Sequence, residues 1–371
     1  MDFLRHIIYD FGFQCFILIL ICISIYIGSK SERKIYKQIF FNFSAIPIAV
    51  LLFELFSTIT SSPKKMIFSG TYADNPIVSG PKYFLGYGPK EDTSFQVSST
   101  LKNNDSIVFS VNYSLENGKR LIPNNNDTSN FHVSFIGGSF LFGDGLNDNQ
   151  TLPFFLNKVS EQKYNLTNYA FSGYGPHQAL FNVEKNIINN SQKIQNKSAV
   201  IYCFIPSHIN RAAGNPLWEI NGPQYEFENN ELKYLGGFSE NKTIKPNFLT
   251  KRITIIWRNS QIYKAFFEGN YSNKDIIRTR EIINRMHLLL ENNNSRFIVL
   301  IKRDFKTKFL EKQLYESLKN YNIEIYYIDS IIEDISENKD KYYMADEHPK
   351  QVYNKKVAVF LHNKLMQNGR N

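Results

Sequence analysis

Four places in the chain carry groups of a kind that can do covalent chemistry. The first is Ser139, in FHVSFIGGSFLFGDGLNDNQTLP (131–153), a strand-like run that ends at Gly137-Gly138 and turns into a Gly-rich loop. A serine on such a turn presents its hydroxyl at the carboxyl end of a sheet, where α/β proteins build their sites. The second is NYAFSGYGPH (168–177), where Gly173 and Gly175 precede a helix start at Pro176 and offer backbone N–H groups to an anion. The third is FIPSHINR (204–211), which gathers Ser207, His208, Asn210 and Arg211 at one strand end. The fourth is MADEHP (344–349), where Asp346 and His348 stand two apart, a spacing that lets a carboxylate orient an imidazole. Taken singly, Ser139 reads equally as a turn residue, Gly173 and Gly175 as a plain strand-to-helix turn, and His348 as a surface histidine.

The elements that must position these groups are legible as alternation. Strand patterns fall at His132–Ile136, Leu166–Ala170, Ala199–Ile205, Arg296–Ile301 and Ile323–Ile328. Helical patterns lie between or after them, at Leu152–Glu161, His177–Asn189, Lys274–Glu291, Lys306–Lys319 and Gln351–Met366. Strands alternating with helices predict an α/β domain over 131–371, with a parallel sheet covered on both faces. An insertion at about 214–271, rich in Asn, Gly, Phe and Tyr, interrupts the rhythm and holds both tryptophans, Trp218 and Trp257. Residues 63–130 read as a β-rich accessory module. The Asn117-Gly118 pair between Ile107–Tyr113 and Lys119–Ile122 marks a hairpin.

Residues 1–62 predict a transmembrane helical hairpin. No residue from Phe11 to Ser29 is charged, and the second run, Ile39–Ile59, is broken only by Asn42, Pro47 and Glu54. Each run is near the ~20 residues needed to cross a bilayer. The link between them carries Lys30, Arg33, Lys34 and Lys37 against Glu32, which places it in the cytoplasm and the rest of the chain outside. A second span, with no small-residue cleavage site, argues against a cleaved signal peptide. Glu54 lies near the outer end of its span and is expected to snorkel to the interface. The formal charge of +9 comes from scattered Lys and Arg with no basic helix face, so no nucleic-acid partner is expected. Three separated cysteines, Cys15, Cys22 and Cys203, give neither a disulfide framework nor a metal site, and no cofactor is called for.

Read together and in order, the blocks resemble the SGNH or GDSL family of serine hydrolases. GGSFLFGDGLNDNQTLP is similar to that family's first block, with Ser139 at the nucleophile position. NYAFSGYGPH is similar to the second, with Gly173 at the oxyanion glycine, and MADEHP to the fifth, with Asp346 and His348 at the acid and base positions. FLGYGPK and VNYSLENGKRLIP are similar to the β-rich lead-in of membrane-anchored members. The resemblance, running from Phe131 to the C-terminus, implies a flavodoxin-like doubly wound sheet. It also implies a Ser139–His348–Asp346 acyl-enzyme mechanism, with the backbone N–H groups of Ser139 and Gly173 in the oxyanion hole.

Two departures stand out. Gly138 replaces the name-giving Asp, and Pro206-Ser207-His208 stands where a Gly-x-Asn-Asp block would supply an oxyanion-binding Asn. The expected third donor is therefore His208, with Ser207 and Asn210 as alternatives and Arg211 as a substrate-binding group. The function so implied is an outward-facing esterase or O-acyltransferase. Its expected substrates are ester groups, acetyl first, of a cell-surface polysaccharide or lipid-linked glycan, with the membrane lipid as its surroundings. The alternative is a catalytically silent fold of the same kind that binds a glycan or an envelope-assembly partner.

Overall fold

Strand β7 (Ser198–Phe204, SAVIYCF) shows why the main sheet is covered on both faces. Its Ala199, Ile201 and Cys203 belong to one apolar core, and Val200, Tyr202 and Phe204 to another. Successive strand side chains point to opposite faces, so a near-continuous apolar run needs helices on both. The first core takes helices Leu152–Val159 and Gln351–Gln367; the second takes Pro176–Asn182, Asn273–Glu291 and Phe309–Lys319.

The computed structural model describes residues 2–60, 66–70, 84–89, 92–101, 106–188, 197–240, 256–257, 260–266, 272–303 and 309–367. Residues 61–65, where the expected hairpin meets the expected β-rich module, lie outside them, as do the expected helix start at Lys306 and helix end at Asn189. The chain divides into two compact units: Met1–Pro63 with Thr243–Asn270, and Lys64–Lys242 with Tyr271–Asn371.

In the second unit, five parallel strands run in the order β11 (Glu324–Tyr327), β10 (Ser295–Ile301), β7, β5 (His132–Gly137), β6 (Asn165–Asn168). Numbered within the sheet this is 2-1-3-4-5, the flavodoxin-like doubly wound order, whose crevice opens at the carboxyl ends of the strands beside the switch point. The α/β expectation holds, and each strand lies within about two residues of its predicted place.

A four-stranded antiparallel sheet, β1 (Met66–Gly70) to β2 (Thr93–Leu101) to β3 (Ile107–Glu116) to β4 (Lys119–Arg120), precedes it, and a two-stranded ribbon, β8 (Pro223–Glu228) with β9 (Glu231–Gly237), follows β7. The Asn117-Gly118 hairpin forms, with φ of 50° and 66° at its two turn residues. Phe95, Val97, Phe109, Val111 and Tyr113 enter the same core as Val133 and Phe135, so the two sheets share apolar packing.

In the first unit, Gly12–Lys30 and Lys34–Ser57 are long and apolar enough to cross a membrane, each with a mean hydropathy of 2.1. Ser44 Oγ donates to Ser24 Oγ at 3.2 Å, and a Cβ at Gly28 would stand 3.1 Å from Phe40 Cβ, so small residues let the helices approach closely. Glu54 departs from expectation. It is fully buried, and its two carboxylate oxygens accept the backbone N–H groups of Gln261 and Ile262 at 2.9 and 2.8 Å. It caps helix Gln261–Phe266 instead of reaching for an interface, because two unsatisfied amides at a helix start are strong partners for a buried carboxylate.

Candidate active site

Three loops at the carboxyl ends of β5, β6 and β7, together with the 342–350 loop before the last helix, converge on one cavity of about 420 Å³. Ser139, Gly173, Arg211, Asp346 and His348 all line it. Four of the four sequence blocks therefore meet in one place.

Ser139 opens a single helical turn, Ser139–Phe142, straight after β5. Its own carbonyl accepts the N–H groups of Gly143 and Asp144 at 2.8 and 3.1 Å, which ties the following loop to the serine. Gly138 admits no side chain. A Cβ there would stand 2.9 Å from the Tyr174 carbonyl, 3.0 Å from Arg211 Nη1 and 3.1 Å from His208 Nε2. The position that resembles a family Asp is thus filled from outside by groups of two other loops.

The β6 loop keeps step with β5 beyond the strand end, since Phe171 N–H donates to the Gly137 carbonyl at 3.0 Å. Gly173 then takes φ +80°, with Tyr87 Oη 2.5 Å from where a Cβ would be. Both the left-handed backbone and the missing space require glycine. Gln178 anchors the turn by accepting from Gly175 N–H at 2.7 Å and donating to Glu219 at 2.6 Å. His177 Nε2 meets the same Glu219 oxygen at 3.0 Å, and all three side chains are fully buried.

The last loop folds back on itself. Met344 N–H donates to the His348 carbonyl, and Lys350 N–H to that of Tyr342, each at 2.8 Å. Asp346 Oδ1 accepts the His348 N–H at 3.2 Å, while His348 Nδ1–H donates to Asp346 Oδ2 at 2.9 Å. A carboxylate can only accept, so the bond assigns the proton to Nδ1 and leaves Nε2 as the basic nitrogen of the neutral ring. Burial pulls the His348 pKa down. The Asp346 hydrogen bond and the charges of Asp144 and Asp346 outweigh it, so the imidazole titrates above the ordinary histidine range. Asp346 is held below the ordinary carboxylate range by His348 despite its burial.

His208 is the oxyanion donor expected from sequence. It is fully buried behind Gly138, its Nδ1 sits 2.8 Å from Tyr202 Oη, and burial holds its pKa well below the ordinary value, so it is neutral. Its Nε2 has no hydrogen-bond partner among the described residues, and the residue is not among those lining the cavity. Ser207 and Asn210 do not line it either; Asn210 Oδ1 accepts from Asn215 instead. From that loop Arg211 alone reaches the cavity among the described residues.

Three further residues were not singled out from sequence as part of the site. Asp144 lines the cavity, accepts from Ser172 Oγ at 2.6 Å and is pushed above the ordinary carboxylate range by burial. Its signal was a lone carboxylate between two glycines, five residues after the serine. Tyr87 and Trp218 form part of the wall; Trp218 is 55% exposed, and the neighbouring Glu219 fixes its segment to the Gly173 turn. Trp257, the other tryptophan, packs edge-on against Phe13 in the first unit, at 5.6 Å between ring centres.

No protein-family model matches the sequence, and no curated protein sequence matches it. Among solved structures, the chain is similar to an acetylxylan esterase, Axe2, from Geobacillus stearothermophilus. The two share 10% identity over 62% of this chain and 91% of the other, with a TM-score of 0.37. It is similar to a GDSL-like lipase from Bacteroides thetaiotaomicron at 14% identity, over 64% and 88% of the two chains, with a TM-score of 0.35. A third is TesA, at 9% identity over 62% and 97%, with a TM-score of 0.38.

Proposed function

We propose that this chain is a serine esterase or O-acyltransferase of the SGNH type, held in the cytoplasmic membrane by its N-terminal helices. Its substrate is an acyl ester, acetyl first, on a cell-surface polysaccharide or lipid-linked glycan. The observation that carries the reading is the His348–Asp346 pair, bonded at 2.9 Å in the cavity that Ser139 also lines. Ser139 Oγ is a weak nucleophile until His348 Nε2 takes its proton, and Asp346 steadies the imidazolium that results. The acyl carbon then passes from the ester oxygen to Ser139 Oγ, and next to water or a sugar hydroxyl. The same histidine moves the proton in both halves. The backbone N–H groups of Ser139 and Gly173 receive the oxyanion.

The exposed indole of Trp218 on the cavity wall favours a sugar ring as the carrier of the ester, since a flat aromatic face suits the apolar face of a sugar. The basic link between the two apolar helices favours an outward site. The test uses the full chain in detergent, a short-chain aryl ester and a fluorophosphonate. Wild type is expected to turn over the ester and to be labelled at Ser139, and Ser139→Ala to do neither. Turnover unchanged in Ser139→Ala would overturn the assignment.

The missing third-block Asn supports a second reading, a silent fold that binds a glycan without turnover. Glycan binding that survives Ser139→Ala, with no ester hydrolysis by wild type, is its expected outcome.

A further inference from the structure

We propose that the Arg211 guanidinium is the third oxyanion donor, standing where the Asn of the resembling family is absent. The inference rests on the serine-hydrolase reading above. Of the loop that follows β7, Arg211 is the side chain that reaches the cavity shared by Ser139 and Gly173. It is held there, because Nη1 donates to the Tyr174 carbonyl at 2.9 Å, inside the turn that carries Gly173.

The surrounding backbone has been cleared for it. A Cβ at Gly138 would stand 3.0 Å from Arg211 Nη1, and one at Gly175 would stand 2.8 Å from Arg211 Cβ. Two glycines, one beside the nucleophile and one in the oxyanion turn, thus make room for this one side chain. No carboxylate pairs with its guanidinium among the described residues. The fork carries five N–H donors, one of which is spent on Tyr174, so donors remain for the cavity.

The chemistry needs such a group. As Ser139 Oγ bonds to the acyl carbon, its proton goes to His348 Nε2 and the carbonyl π pair becomes a full negative charge on oxygen. No other reactant is consumed. A fixed cation that is only half-buried before attack and meets that charge when it forms stabilises the transition state more than the ground state. The same cation opposes protonation of His348, keeping the base available. The clamp on Tyr174 and the oxyanion contact use different N–H groups of one fork, so they are separable by substitution.

The full chain in detergent is assayed with a neutral aryl acetate and with a fluorophosphonate. Arg211→Gln is expected to lose about 10²–10³-fold in kcat and in the labelling rate, with KM changed less than about twofold. Arg211→Ala is expected to regain rate when guanidinium is added. A rise in KM at unchanged kcat, confined to anionic esters, would make Arg211 a reader of substrate charge and overturn the proposal. Unchanged kinetics would overturn it too. If Arg211→Gln fails to fold, Arg211→Lys, which can still donate to Tyr174, decides the matter. A kcat loss at unchanged melting temperature supports the oxyanion role, and full activity refutes it. A wild type that is neither active nor labelled at Ser139 removes the hydrolase reading itself; a labelled wild type with an equally labelled variant removes only the role of Arg211.

Discussion

Asp144 faces His348 Nε2 across 3.8 Å, on the side of the ring away from Asp346, whose carboxylate holds Nδ1 at 2.9 Å. The imidazole thus sits between two carboxylates, with Arg211 as the opposing cation among the groups that act on it. The sign of the effect follows. Both carboxylates favour the imidazolium, so the His348 pKa lies above the ordinary value of about 6.5. In the proposed mechanism the base works only when neutral, so kcat/KM is expected to be low below that raised pKa and to climb as pH rises through it. Asp144→Asn keeps an oxygen for Ser172 Oγ but removes the charge. The acid limb of kcat/KM is expected to move to lower pH in this variant, measured with a neutral aryl ester. A limb that stays in place would show that Asp144 acts only by holding the Ser172 turn.

Gly173 is a position where the backbone and its neighbours both refuse a side chain. Gly173→Ala puts a methyl group at φ +80° into the place of Tyr87 Oη, 2.5 Å away. The backbone alone costs about 1–3 kcal/mol, and in the proposed mechanism the displaced turn carries the Gly173 N–H away from the reacting carbonyl. Both the melting temperature and kcat are expected to fall. A variant with a lowered melting temperature but wild-type kcat would exclude the Gly173 N–H from the oxyanion hole.

Much of the candidate site is legible in local sequence pattern. The strand and helix alternation is legible because β7 and β10 carry near-continuous apolar runs and helix Gln351–Gln367 buries a stripe at Tyr353, Val357, Leu361 and Leu365. The blocks around Ser139, Gly173 and Asp346–His348 were readable because local chain geometry fixes them: a strand end, a turn that needs glycine, and two residues in one tight loop. What failed was any step that depended on one loop seen against another. His208 looked like a donor in FIPSHINR, but the short helix Ser207–Ala212 turns it into the core and Arg211 toward the cavity. Asp144 is not legible in the sequence because its partners, Ser172 and His348, lie 28 and 204 residues further on. The buried place of Glu54 is hidden for the same reason, since its partners are 207 and 208 residues away.

Trp218 offers a test that separates the proposed glycan from a simple ester. It is 55% exposed on the cavity wall and adjoins buried Glu219, so its ring can be removed without opening the core. Trp218→Ala is expected to leave kcat and KM for a small aryl acetate unchanged. KM for an acetylated oligosaccharide should rise by roughly tenfold, the scale of one lost aromatic contact of about 1 kcal/mol or slightly more. Equal KM values for the oligosaccharide in wild type and variant would remove the indole as a sugar platform.

Glu54 offers a test of the first unit that does not depend on catalysis. Its carboxylate accepts two backbone N–H groups at the start of Gln261–Phe266, and Trp257 packs nearby between Phe13 and Tyr263, with ring centres at 5.6 and 6.0 Å. Removing a helix cap costs about 0.5–2 kcal/mol, and a buried helix end has no water to replace it. Glu54→Ala is therefore expected to loosen this segment, whereas Glu54→Gln keeps one acceptor oxygen and should loosen it less. The chain has two tryptophans, so in a Trp218→Phe background the emission reports Trp257 alone. A red shift and stronger quenching by acrylamide are expected in the order Ala, Gln, wild type. Identical spectra in all three would show that the segment is held by its apolar contacts and that the buried carboxylate contributes nothing to its docking.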